Sequence, residues 1–340
     1  MEYKRIAIDT SKAVFTVHGI DAHDRPVLRR NLKRAEFEGL FAKLAPTEVA
    51  LEACGSSHHW ARFLAQHGHQ VRLIPPQYVK PFVKRGKNDS ADAEAICEAA
   101  GRPGMHFVPV KSAARQAAAM PLSVREMLVR QRTQLVNALR GHSSEFGIIA
   151  GRGTHQVESL LQQIAASDAV PQRAREMLAL LGQQIAQVDT TLATMEKRLV
   201  AEHRADPQSK LLAGQPGIGP ISAQTLVTKV DPTQFKSGRH FAAWLGLTPK
   251  QRSTGGKQRL GGISRAGNER LRQLFVVGAM AVIRQARPGS KTASPWLLQL
   301  LERRPRKLAA VALANKMART AWAMMTNGEA WRMPKASVAA

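Results

Sequence analysis

The sequence predicts an α/β domain followed by an all-α remainder. Three observations carry this. Over residues 1 to about 110, apolar β-branched runs alternate with helix-period segments. From about 112 to 205 the apolar residues recur at helical steps without strand signals. From about 207 onward short apolar helices are separated by glycine turns. The expected domains are 1–110, a helical hairpin or coiled-coil linker over 111–205, a mainly helical domain over 206–330 and a tail over 331–340.

In chain order, "YKRIAIDTSKAVFTVHGI" reads as two strands joined by a tight "DTSK" turn, and "RPVLRRNL" as a third. A helix at about 35–45 follows, then the short strand "TEVALEA", a helix around "HHWARFLAQHG" and a strand "HQVRLIP". Helices through "QYVKPFVK" and "SADAEAICEAA" complete the segment. Strands first paired as hairpins and then alternating with helices indicate a mixed sheet. In the next stretch Leu128, Leu135, Leu139 and Phe146 stand at helical spacing. Leu178, Leu181, Ile185, Val188, Leu192, Met195 and Leu199 alternate steps of three and four, an a/d seam that fits a coiled coil or a helix buried in a bundle. "GIIAGRGTHQ" fits the turn between these helices. In the last domain "GQPGIGPISAQTLVTKV" resembles a helix-hairpin-helix, with Gly217 and Gly219 bracketing the turn and the next helix offering free N–H groups to a phosphate. An ordinary interhelical turn fits the same residues.

Charge narrows the function. Fifty Lys and Arg face 25 Asp and Glu, a net charge of +25, and such a field attracts polyanions. The longest apolar run, Leu274 to Ile283, is far short of the roughly 20 residues that span a bilayer, and the N-terminus lacks a signal-peptide core. Cys54 and Cys97 have no metal-type spacing and suggest no disulfide framework. A cytoplasmic, nucleoid-associated protein with no membrane partner is expected.

With so few acids, their placement is informative. Asp9 ends the first strand, Glu52 ends "EVALE", and Asp89 and Asp92 stand three apart in "KNDSADAEAI", on one helix face. Each alone reads as a turn cap, an N-cap, a first-turn acid or an ion-pair partner. Their joint order is how a ribonuclease-H-like fold collects acids at one edge of a sheet. Clustered carboxylates repel and call for a cation; hard oxygen ligands select Mg²⁺ or Mn²⁺, and a pair of such ions can clamp a phosphodiester. His58 and His59 are neighbours on a helix and cannot face one spot, and Cys54 has no ordered base beside it.

The segment "RSTGGKQRLGGISRAGN" has the glycines and cations of a phosphate loop, but Gln251 and Gln258 stand where a Walker A motif needs Gly and Ser or Thr. Between Lys250 and Arg272 the cations are Lys250, Arg252, Lys257, Arg259, Arg265, Arg270 and Arg272, against Glu269 alone.

"AIDTSK", "ALEACGSSHHWARFL", "LIPPQYVKPFVKRGKNDSADAEAICEA", "FVPVKS", "PGIGPISAQTL", "LGLTPKQRSTGGKQRLGGISRAGNERLR" and "ALANKMARTAW" resemble, in order and over nearly the whole chain, a family of bacterial insertion-sequence transposases. These carry an N-terminal RuvC-like D-E-D-D domain, are related to Piv-type invertases, and use a noncoding bridge RNA of their own element as guide. "HH" and "PPQYVK" point to the subgroup with subterminal inverted repeats. The resemblance implies a metal-binding tetrad of Asp9, Glu52, Asp89 and Asp92, and a DNA-attacking serine at Ser253, with Ser264 the second candidate because relatives carry Thr there. Gly217, Gly219, Arg252, Lys257, Arg259 and Arg265 would contact nucleic acid. Partners would be DNA at the element ends and target site, a guide RNA, and further copies of the chain as a dimer or tetramer. The helical seam would then hold protomers in register, joining the acids of one copy to the serine of another. A water-using RuvC-like nuclease and a non-catalytic nucleic-acid binder remain alternatives.

Overall fold

The computed structural model of the protein describes residues 2–84, 88–290 and 292–333. Of the tail expected over 331–340, residues 334–340 lie outside these. The chain divides between Ala117 and Ala118 into two compact units, within one helix.

The first unit is built on strands β1 (Arg5–Thr10), β2 (Val14–Ile20) and β3 (Pro26–Lys33), helix α1 (Arg34–Phe41), strand β4 (Glu48–Glu52), helix α2 (Ser57–Gln66) and strand β5 (Gln70–Ile74). Helices α3 (Pro76–Val79) and α4 (Asp89–Ala100) follow. The five strands form one mixed sheet in the order β3-β2-β1-β4-β5, antiparallel from β3 to β1 and parallel from β1 to β5. The mixed α/β character read from the sequence is therefore present. Strand alternation sorts the side chains. Ile6, Ile8, Phe15, Val17, Leu32, Val49, Leu51 and Leu73 form one core with Phe37 and Phe41 of α1 and Trp60 and Leu64 of α2. Its centre is aromatic: the Phe15 ring centroid lies 4.7 Å from Phe37 and 4.9 Å from Trp60. Ala7, Ala50 and Ile74 face the other way, into a core with Ala95, Ile96 and Ala100 of α4.

Ion pairs and a histidine fix the margins of the sheet. Glu48 accepts from both Arg5 and Arg72. Buried His69 bridges Thr47 and Phe41: Nδ1 accepts from the Thr47 N–H at 3.2 Å and Nε2 meets the Phe41 carbonyl at 2.9 Å.

The helix that crosses the division is α5 (Ala113–Ser144). Beyond it come α6 (Val157–Ala166), α7 (Gln172–Ala205), α8 (Pro207–Ala213), α9 (Pro220–Lys229) and α10 (Gly238–Trp244). A short antiparallel pair, β6 (Pro249–Gln251) and β7 (Leu260–Ile263), precedes α11 (Glu269–Gln285), α12 (Pro295–Arg303) and α13 (Arg306–Asn327). Arg125 pairs with Glu196, and Arg132 donates to Asp189 at 2.9 Å, so α5 and α7 run antiparallel beside each other. Of the seam, Leu178, Ile185, Val188, Leu192 and Leu199 are buried within this one chain. At its start they meet Val136 and Leu139 of α5 and Leu160 and Ile164 of α6. The stretch 147–156 read as the turn holds no α-helix, only a 3-10 turn at Thr154–Gln156, and α6, which the sequence reading did not separate from the hairpin, follows it. A seam covered by its own chain needs no second copy to exclude water from it. None of the helices among the described residues is long and apolar enough to cross a membrane.

The second unit's larger core joins α8–α13 around Phe241, Phe275, Leu271 and Met317. One close approach sets how α11 lies. Gly217 has φ +88°, and a Cβ there would fall 2.8 Å from the Gly278 carbonyl oxygen and 2.6 Å from Met317 Cε. A Cβ at Gly278, in mid-α11, would overlap the Gly217 carbonyl oxygen. The two glycines therefore let backbone meet backbone. Helix propensity alone would favour Gly278→Ala by about 1 kcal/mol. The clash reverses the sign: we expect Gly278→Ala to destabilise the protein by on the order of 2–3 kcal/mol, read from the midpoint of denaturant unfolding. An unchanged or raised midpoint would show that the two segments are not in contact.

Candidate active site

Asp9 and Glu52 reach the same side of the sheet by simple alternation. Ile8 and Leu51 are register partners on the α1/α2 side, so the next residues, Asp9 and Glu52, turn toward α4. The strands are parallel, which brings both acids to the same edge. Helix α4 starts at this edge. Its N-cap Asn88 accepts from the Ser90 N–H at 3.0 Å, and Asp89 and Asp92 lie in its first turn. Asp89, Asp92, Ala93, Ile96 and Ala100 form an i, i+3, i+4, i+7, i+11 stripe whose last three members are buried. The acids extend that stripe over the end of the sheet.

One carboxylate oxygen from each of Asp9, Asp89 and Asp92 lies within 4.8 Å of the others. Glu52 is outside this group of three but close enough to feel it. Burial, then the charges of Asp92 and Asp89, push Asp9 above the usual carboxylate range, against an opposing hydrogen bond from the Thr10 backbone. Burial, then Asp9 and Asp92, push Glu52 up as well. Asp9, Asp92 and Glu52 are half-buried and Asp89 is exposed, so the group opens to solvent on one side.

Beside the acids, Thr10 Oγ1 and Cys54 Sγ lie 3.1 Å apart, linking the segments that follow β1 and β4. Nothing in their spacing along the chain pairs them; the parallel register of β1 and β4 does. The adjacent histidines serve packing. His58 Nδ1 accepts from the Lys111 N–H at 3.2 Å, and the His59 ring lies 4.8 Å from Trp60. Cys97 is buried, which pushes its thiol up to about 11.

In the second unit, the segment read as a phosphate loop is a β-hairpin. Arg252 N–H donates to the Arg259 carbonyl at 2.8 Å, Thr254 bridges to Lys257, and the Lys257 N–H donates to the Thr254 carbonyl at 3.0 Å. Gly255 and Gly256, at φ +54° and +76°, are the two central residues of the turn. Positive φ at both positions is the type I′ requirement, which explains the glycine pair without any ligand. Ser253 is exposed, and its Oγ accepts from the Arg259 N–H at 3.3 Å. Arg252, Lys257 and Arg259 are exposed.

The following turn is anchored. Ser264 N–H donates to Thr248 at 2.8 Å and Arg265 N–H to Gly246 at 3.2 Å. Arg265 is exposed and holds φ +58°, uncommon for a residue with a Cβ. Arg272, one of the cations expected near the serine, instead donates to the Leu245 and Ala266 carbonyls at 3.1 and 2.7 Å. It closes this turn from inside. Gly219 is the exposed N-cap of α9, whereas Gly217 faces Gly278.

Comparison with known proteins matches both halves of the chain. A model described as "Transposase IS116/IS110/IS902 family" covers residues 209–294. A DEDD transposase model of IS110 elements, described as "Transposase", covers residues 6–148. The putative transposase y4pF/y4sB of Sinorhizobium fredii is 55% identical over 96% of this chain and 85% of its own length. The probable family 20 transposase of Pseudomonas aeruginosa is 48% identical over 98% and 99%. The transposase for insertion sequence element IS1111A of Coxiella burnetii is 38% identical over 97% and 92%. With two transposase domains in order and relatives of this similarity over almost its whole length, the chain belongs to the IS110/IS116/IS902 family of insertion-sequence transposases, enzymes that cleave and rejoin DNA.

Proposed function

We propose that this transposase cuts DNA by transesterification, with Ser253 as nucleophile and the carboxylates of a ribonuclease-H/RuvC-like first domain as its electrostatic partner. The observation that carries the reading is the convergence of Asp9, Asp89 and Asp92 within 4.8 Å, with Glu52 alongside on the same side of the sheet. The donor set fits a hard divalent cation: oxygen ligands only, from three elements, with one open side, and with burial and mutual repulsion already disfavouring the bare charges. Asp9, Asp89 and Asp92 would hold Mg²⁺ or Mn²⁺ directly, with Glu52 as the fourth ligand of the tetrad. Such an ion supplies Lewis acidity at a phosphate oxygen.

Ser253 supports its role by access. Its hydroxyl is exposed and accepts from the Arg259 N–H, a bond that does not engage its own proton. In the step proposed, a bond forms between Ser253 Oγ and phosphorus while the bond from phosphorus to one deoxyribose oxygen breaks. The serine proton passes to a base or to water, and the departing oxygen takes one up. The products are a phosphoserine ester and a free DNA hydroxyl. Resolving that ester with another DNA end rejoins the strands without an external energy source. Ser264, which accepts from the Ala266 N–H at 3.4 Å within the anchored turn, is the less available hydroxyl.

The same reading extends to an element-encoded guide RNA, supported by the +25 charge. It also takes the α5/α7 pair as the linker between the catalytic domains and the active enzyme as an oligomer.

Two outcomes are expected. Ser253→Ala abolishes the covalent protein–DNA adduct on denaturing gels while Ser264→Ala retains it, both variants binding DNA within about twofold of wild type; an adduct that survives Ser253→Ala moves the nucleophile elsewhere. Asp9 tests the carboxylate site by stability. Its folded-state pKa is raised, so stability falls as pH rises from the ordinary carboxylate range through that value. In metal-free buffer at pH 7, Asp9→Asn raises Tm, by about 4 °C for each kcal/mol relieved. Added Mg²⁺ then raises the Tm of wild type and leaves Asp9→Asn unmoved. A lower Tm for Asp9→Asn, or an equal response to Mg²⁺, argues against the site.

A further inference from the structure

The β6–β7 hairpin has two chemically different faces, and the register assigns them. Gln251 pairs with Leu260, an isolated bridge joins Thr254 to Lys257, and between them the Arg252 N–H donates to the Arg259 carbonyl, all in one antiparallel register up to the Gly255-Gly256 turn, while the Arg259 N–H turns to Ser253 Oγ. Residues directly opposite in such a pair share a face, and successive residues alternate. Arg252, Arg259, Thr254 and Lys257 therefore lie on one face. Gln251, Ser253, Gln258 and Leu260 lie on the other. The three cations are segregated from the serine.

The ribbon is built to project. Every residue from 249 to 262 is exposed, Leu260 to 63%. No acid occurs between 249 and 263. Among the described residues none of Arg252, Lys257 and Arg259 is paired with a carboxylate. Its base is fixed by the anchored turn at 264–266 and by Arg272. An exposed arm with three cations on one face, and glutamines with a leucine on the other, meets no carboxylate among the described residues.

We propose that this ribbon enters the major groove of duplex DNA, its Arg252/Lys257/Arg259 face against the backbone of one strand and its Gln251/Ser253/Gln258/Leu260 face toward the other strand. The major groove of B-form DNA, about 12 Å wide, admits a two-stranded ribbon. The deep, narrow major groove of an RNA duplex does not, so DNA is the partner. The inference deepens the transesterification reading: the strand gripped by the cations is the one Ser253 does not attack. The cations then hold the uncut partner strand in place, which keeps the two strands in register while one is open.

The test uses the full-length protein and three probes: a duplex carrying the element end, an RNA duplex of the same sequence, and DNA duplexes with methylphosphonate patches in either strand. Each phosphate contact contributes about 0.9 to the slope of log K against log salt on B-DNA. Arg252→Ala/Lys257→Ala/Arg259→Ala lowers that slope by about 2–3 on the DNA duplex and leaves the RNA duplex unchanged. Gln251→Ala/Gln258→Ala, with an unchanged melting curve, leaves both slopes unchanged. Methylphosphonates in the strand that forms no adduct remove the difference between wild type and the triple variant; those in the adduct-forming strand preserve it. An unchanged DNA slope, an equal loss on RNA, or an effect confined to the adduct-forming strand would overturn the proposal. If the slope falls but no variant or wild type forms an adduct, the serine assignment fails and groove entry by the ribbon stands.

Discussion

The close approach of α4 to the parallel pair β1 and β4 is the constraint on which the first unit's chemistry depends. Ala7 and Ala50 are register partners directly beneath the helix, and α4 presents Ala95, Ile96 and Ala100 to the sheet. Small residues on both surfaces allow that approach. One strand step beyond Ala7 and Ala50 the same side of the sheet carries Asp9 and Glu52, and one helical turn before Ala93 the stripe carries Asp89. The acids meet because the packing beneath them is tight, and they stay together against their repulsion for the same reason. The opposite side supplies the stability: Phe15, Phe37, Trp60 and Leu64 are fully buried there, each worth about 1.5–3 kcal/mol. A cluster of half-buried like charges is tolerable only on such a scaffold.

The second unit solves a different problem: how to hold an exposed hairpin without a core of its own. The hairpin cannot be stable as an isolated two-stranded ribbon. Its turn chemistry and its base compensate. Gly255 and Gly256 set a turn whose twist matches the strands. At the base, Gly246 and Gly267 carry positive φ, and a Cβ on Gly267 would overlap the Trp244 carbonyl oxygen, so the chain passes directly against the end of α10. Arg272 then ties that crossing to α11. The glycines of this region divide into those that turn the ribbon and those that seat it, and neither set needs a bound phosphate to explain it.

Where a buried face existed, the sequence disclosed the structure. Period-two runs such as "RIAI" and "EVALE" marked strands because one side of each faces a core, and the four acids were legible because they end those runs or open a helix. The seam of α7 was legible as a stripe that must be covered, though a heptad pattern does not say by what; here α5 and α6 of the same chain contribute. The hairpin was illegible for the converse reason. With both faces in water, nothing selects apolar residues at alternate positions, and only the two-residue glycine turn remained as a signal. The roles of Gly217 and Arg272 were equally hidden, since each depends on a partner far away in sequence, Gly278 for one and the Leu245 carbonyl for the other.

This bears on how a basic protein's charge is to be counted. An excess of 25 cations suggests a broad nucleic-acid surface. Yet Arg5 and Arg72 hold Glu48, Arg125 and Arg132 tie α5 to α7, and Arg272 holds backbone carbonyls. These side chains are engaged in the fold, and adding a polyanion would have to compete with partners already at hydrogen-bond distance. Among the described residues Arg252, Lys257 and Arg259 have no such competitor, because the ribbon that carries them has no acid and no core. Net charge sets the long-range attraction to nucleic acid. Which strand is gripped is decided by the few cations whose fold leaves them unpaired and whose strand register points them all one way.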